Sequence, residues 1–171
     1  MYSRSICAAV TLVLVLASGR HASAQGNTDS AYAGVQSRGA EVMGVDQYTS
    51  HHVFEDLSDG GRIIFLRDDV TDSAGTSVIR AHLRTIADSF AAGVFNDPAQ
   101  VHAREVPGTA DMARLRDKIR YTVSERPGGG ELRITTADPD ARQAIHEFLA
   151  FQRQDHRAAG HEGMEHHHPP S

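Results

Sequence analysis

Cysteine is nearly missing from this chain of 171 residues, occurring once, at Cys7; tryptophan is absent and aromatic residues make up 6%. Cys7 stands at the head of an apolar stretch, 6–17, and not after it, so it cannot be a lipid-attachment point. If that stretch is removed, what remains can form no disulfide, thiolate metal site or thiol nucleophile, and must rest on an ordinary core. Nor does any apolar run reach the roughly 20 residues that a membrane-spanning helix needs. Positive charge is also short. With 17 basic against 22 acidic residues the formal charge is −5, and no basic cluster interrupts it. This argues against nucleic acid or an anionic membrane as a partner. The chain shows no His-Glu-x-x-His, phosphate-binding loop, dinucleotide fingerprint, Gly-x-Ser-x-Gly elbow or calcium loop. The run Gly128-Gly129-Gly130 precedes no helix and is read as a hairpin turn.

What is present begins with export. Arg4, the apolar stretch and the small-x-small site Ala22-Ser23-Ala24 are the three parts of a cleavable secretory signal spanning 1–24. Losing 24 residues from 171 leaves 147, one domain's worth. Arg4 and Arg20 leave too, so 17 basic residues become 15 against 22 acidic ones, and 11 histidines become ten. The mature protein is expected to be periplasmic or secreted, with no stable membrane insertion after cleavage. Residues 25–40 are small, polar and without periodicity and read as a flexible linker. Residues 158–171 read as a disordered histidine-rich tail, which leaves 41–157 as the folded domain.

Inside that domain a pattern occurs twice. His52 to Leu57 and Arg62 to Leu66 flank the turn Ser58-Asp59-Gly60-Gly61 and predict a β-hairpin. A helix over 72–92 follows, with Ile79, Leu83, Ile86 and Phe90 on one stripe and Gly93 as its stop. A connection over 96–112 leads to a second hairpin, where Ile119, Tyr121 and Val123 alternate with polar residues and Leu132 and Ile134 alternate back. Asp138 and Pro139 then open a second helix. Laying Ile79-Arg80-Ala81-His82-Leu83 on Ile145-His146-Glu147-Phe148-Leu149 aligns the two helices. The expectation is an α+β domain of duplicated ββα units, with a four-stranded antiparallel sheet and two helices packed on one face.

The histidine excess calls for an explanation. His51 and His52 adjoin on a strand and so point to opposite faces. Asp46, Gln47 and Thr49 just before them are placed to orient an imidazole as outer partners. His82 flanks the first helix stripe, and His156 falls where the repeat puts Phe90, at a helix end where a cationic ring suits the dipole. His146 points off the stripe toward solvent, and His102 lies in the long connection. His161, Met164, His166, His167 and His168 crowd the tail. Imidazoles without thiolates suit copper or zinc, and a thioether adds preference for cuprous copper. His51, His52, His82 and His156 are thus candidate ligands in the domain, and the tail residues a loose acquisition segment.

Met43-Gly44-Val45-Asp46-Gln47, Thr49, His51-His52, Gly60-Gly61, Ile79-x-x-His82-Leu83 and 90–95 resemble a family of small exported bacterial proteins. So do Val106-Pro107-Gly108, 145–152 and Asp155-His156. The resemblance covers most of the domain and not the tail. It implies export and this fold region but no reaction, and a second histidine where this chain has Thr85. Two other readings stand beside metal binding. One is an interaction module for another exported protein; the other is a hydrolase using His52 with Asp46, for which no nucleophile is in sight.

Overall fold

The computed structural model describes residues 20–160. Its elements, in chain order, are helix α1 (Arg20–Met43), strands β1 (Ser50–Leu57) and β2 (Gly60–Arg67), and helix α2 (Ser73–Ala91). Short helices α3 (Asn96–His102) and α4 (Thr109–Arg114) come next, followed by strands β3 (Ile119–Arg126) and β4 (Gly129–Thr136) and helix α5 (Pro139–Asp155). The sheet is four-stranded and antiparallel in the order β1-β2-β4-β3, so the hairpins meet along their second strands. The fold is α+β, with duplicated ββα units.

Local chemistry sets the boundaries. Asp72 caps α2 by accepting from the Gly75 amide at 2.9 Å and is itself held by Arg67 Nε at 2.9 Å. Asp138 caps α5 by accepting from the Asp140 and Ala141 amides at 3.0 Å each, with Pro139 at the first position. Each hairpin turns through two residues, Ser58-Asp59 and Pro127-Gly128. Ile79, Leu83, Ile86 and Phe90 from α2, and Ile145, Phe148 and Leu149 from α5, bury their side chains against Ile63, Phe65, Leu132 and Ile134 of the sheet.

The two units are interlocked. Helix α5 lies over β1 and β2 of the first unit, whereas α2 lies over β3 and β4 of the second. Equivalent glycines make the close approach possible. A Cβ on Gly61 would collide with Leu149 Cδ1 of α5, and one on Gly130 would stand 2.8 Å from Leu83 Cδ1 of α2. Leu83 and Leu149 are the residues that the internal repeat aligns, so each leucine fits the glycine of the other unit's hairpin. The end of α5 is pinned to β1 by an ion pair that is nearly buried on both sides. Arg153 holds Asp56 through two contacts, at 2.9 and 3.2 Å, and also donates to the Phe54 carbonyl at 3.1 Å.

Three sequence expectations need correction. Residues 25–40 are not a flexible linker but part of α1, which packs on α3 and α2. Val35, Gln36, Gly39 and Met43 form its buried side, with Gln36 donating to the Gln47 carbonyl and Arg38 to the Val101 carbonyl at 2.7 Å. That side has too few large apolar residues to register as a stripe. The domain also continues past residue 157, because the Phe54 amide donates to the Ala159 carbonyl at 2.9 Å and Ala159 bridges in parallel to Val53. The connection 96–112 is largely helical, holding α3 and the start of α4. The signal stretch up to residue 19 and the tail from residue 161 lie outside the described residues.

Gly61→Ala should destabilise the fold by about 1–3 kcal/mol, the usual cost of overpacking a tight contact. Adding Leu149→Ala should cost less than the single effects imply, because the cavity it opens relieves the clash with the leucine and leaves only the closer approach to the Glu55 carbonyl. Urea denaturation of the two single variants and the double variant checks this, and strict additivity would refute the interlocked packing.

Candidate functional site

Strand alternation separates His51 from His52. His51 is exposed and its Nδ1 lies 2.7 Å from Asp68 Oδ1. His52 turns inward and stacks on Phe65, with ring centroids 3.9 Å apart and planes 13° from parallel, and on Phe54 at 5.4 Å. Because α5 lies over β1, the residue that caps its C-terminus, His156, reaches this stack, 5.2 Å from the His52 ring and 5.7 Å from the Phe54 ring. His102, at the end of α3, packs edge-on against His156 at 5.0 Å.

These rings and His82 of α2 line one cavity of about 60 Å³, enough for a few water molecules. Its walls are otherwise mostly apolar, formed by Val42, Met43, Phe54, Ile63, Ile86, Phe90, Val101 and Phe148, with Asp97 and Gln152 as further polar members. Four imidazoles thus arrive from four separate elements. A second hollow of about 200 Å³, bounded by Tyr32, Gln36, Gln47, His51 and Arg157, shares His52 and His156 with the first.

His102 is the residue sequence reasoning passed over. Its side chain is 1% exposed, and its Nδ1 meets Asp155 Oδ2 at 2.5 Å while its Nε2 meets Gln152 Oε1 at 2.9 Å. With Nδ1 donating to Asp155, a neutral ring carries its lone pair on Nε2, and the Gln152 amide turned end for end would donate to it. Arg104 fixes the other oxygen of Asp155 at 2.9 Å and stacks on Phe151. A ring whose far nitrogen is held by a carboxylate is an oriented metal ligand or base. The only hint in the sequence was the placement of Asp155 and Gln152 three residues apart near the end of α5.

Burial favours the neutral form of His52, His82 and His156. His52 titrates well below the ordinary range, first through desolvation and then through His156, His82 and His51. Desolvation also lowers His82, against an opposing pull from Asp97. His156 falls to about 4, again mainly by desolvation, with His102 adding and Asp155 opposing. The expectation of a cationic cap at the end of α5 is therefore corrected: His156 is an uncharged ring in an aromatic cluster.

The proposed outer partners are engaged elsewhere. The Asp46 carboxylate accepts from the Tyr48 amide at 2.9 Å, Gln47 donates to the Val45 carbonyl at 2.7 Å, and Thr49 donates to the Asp46 carbonyl at 3.4 Å. These bonds close the turn before β1 and leave Asp46 no part in orienting His52. His146, expected in solvent, is half-buried and its Nε2 lies 3.1 and 2.9 Å from the carbonyls of Leu57 and Gly60, tying α5 to the first hairpin. Thr85 is exposed and donates to the Ala81 carbonyl. His161, Met164, His166, His167 and His168 lie outside the described residues. Among the described residues, no three or more of His, Cys, Asp and Glu stand grouped as a ready metal-ligand set. No protein-family model, curated protein or solved structure matches the chain.

The depressed ring pKa values link protonation to folding. The unfolded chain takes up protons near pH 6.5, whereas folded His156 does so only near 4. Its share of stability is complete above about pH 6.5 and is lost as the pH falls toward 4, reaching about 3 kcal/mol. His156→Phe, which restores the residue type of the equivalent Phe90, should flatten this loss in metal-free protein. Urea midpoints measured between pH 7.5 and 4 check it, and an unchanged slope would refute the assignment.

Proposed function

We propose that this domain binds a transition-metal ion, copper or zinc, in the cavity between α1, α2, α3, α5 and the β1–β2 hairpin, and that it does so outside the cytoplasm. The observation that carries the reading is the meeting of His52, His82, His102 and His156, from four elements, around one cavity. Burial also leaves the lowered rings uncharged at neutral pH, with lone pairs free to ligate. Two imidazoles bound to one ion at about 2 Å through nitrogen have ring centres about 5 Å apart. The His52–His156 and His102–His156 spacings, 5.2 and 5.0 Å, are of that size. Asp155 supports the reading as the carboxylate that holds the far nitrogen of His102. Ring rotation on binding would complete the ligand set.

A hydrolytic role has less support. The cavity lining contains no serine, threonine, cysteine or lysine that could act as a nucleophile, and the Asp46 carboxylate bonds within its own turn.

Calorimetric titration of the full chain with Cu²⁺ and Zn²⁺ should reveal one site tighter than the rest. His52→Ala and His156→Ala should each weaken that site by about 10–100-fold. Replacing His161, His166, His167 and His168 should leave it in place and remove only weaker binding. Loss of all tight binding in the tail variant, with none in the cavity variants, would overturn the proposal.

A further inference from the structure

The cavity has a fifth possible donor, and a soft one, that the histidine pattern does not announce. Met43, the last residue of α1, is 7% exposed and lines the same cavity as His52, His82, His102 and His156. The helix makes room for it. A Cβ on Gly39, one turn earlier, would stand 3.0 Å from the Met43 terminal methyl and 3.1 Å from Gln47 Cγ. Glycine inside a helix costs roughly 1 kcal/mol relative to alanine. Its place on the buried side of α1, against Met43, is consistent with a need for space there.

We infer that the cavity is a cuprous-copper site in which the Met43 thioether joins the imidazoles as a ligand. This rests on the metal-binding reading above and names the ion. Thioether sulfur is a soft donor that selects monovalent copper, whereas zinc is satisfied by imidazole and carboxylate. The charge balance points the same way. Asp97 is the one carboxylate among the cavity's lining residues, and the walls are otherwise mostly apolar, so a monocation would be neutralised where a dication would leave a buried excess charge. Two to four donors of this softness meet the low coordination that monovalent copper accepts, so the pairwise ring spacings suffice without a preformed triad.

The test uses the full chain carrying substitutions at His161, Met164, His166, His167 and His168, so that the tail supplies no competing donors, alongside the unaltered chain. One equivalent of Cu⁺ is delivered under argon, and X-ray absorption and competition with a cuprous chelator are recorded. We expect a sulfur neighbour in the copper shell and loss of that sulfur in Met43→Leu, a volume-conserving change that keeps the packing. Cu⁺ affinity should fall in Met43→Leu by at least about tenfold, the scale on which a lost supporting group weakens a metal site, while Zn²⁺ affinity stays unchanged. A nitrogen-only shell, or equal Cu⁺ affinity in Met43→Leu, overturns the inference and leaves the histidine site intact. Cu⁺ binding that ignores both Met43→Leu and His156→Ala overturns the inference and the metal-binding reading together.

Discussion

The candidate site exists because each helix packs on the hairpin of the other unit. Had α5 covered β3 and β4, the strands that precede it, His156 would lie across the sheet from His52. Instead, Leu149 fits over Gly61, Arg153 reaches Asp56, and the end of α5 comes to rest beside the His52–Phe65 stack. The ion pair is nearly buried on both sides, so removing Arg153 would leave the Asp56 carboxylate uncompensated in the interior. The constraint that holds the two units together is thus the same one that assembles the imidazoles.

A stability-driven sequence would fill this region differently. The first unit has Phe90 where the second has His156, and Phe90 packs against Phe95, Tyr121 and Phe148 with no polar atom to satisfy. His156 occupies the equivalent position at the cost of a depressed pKa, and His52 makes a similar sacrifice. Local choices that break the rule of an apolar core without an evident structural return tend to mark functional positions. His102 differs because Asp155 holds its Nδ1 and so fixes the ring in one orientation, while Gln152 at its Nε2 would have to give way to a bound ion.

Strong periodicity made part of this legible in the sequence. Ile79, Leu83, Ile86 and Phe90 form a stripe that only a helix explains, and the alternation around Tyr121 and Ile134 marks strands whatever their partners. The duplication followed from aligning Leu83 with Leu149. Strand parity separated His51 from His52 but did not decide which faced inward; that depends on which side the helices cover. Helix α1 escaped notice because, among its described side chains, Val35 and Met43 are the large apolar ones buried in the core, with Val42 packed at its margin. His102 escaped because Asp155 and Gln152 are about fifty residues away and meet it only through the packing of α3 against the end of α5.

The distribution of carboxylates narrows what the histidines can do. A general base needs an oriented ring and a substrate with room to approach it. The one ring in the cavity with a carboxylate behind it is His102, which is 1% exposed and faces a space of about 60 Å³. The more approachable ring, His51, is bonded to Asp68 on the outer surface and is not among the four that line the cavity. Orientation and access are therefore divided between different histidines, which suits a buried ion better than a substrate. The hollow bounded by Tyr32, Gln36 and His51 shares His52 and His156 with that cavity, so these two rings stand at the boundary of both spaces.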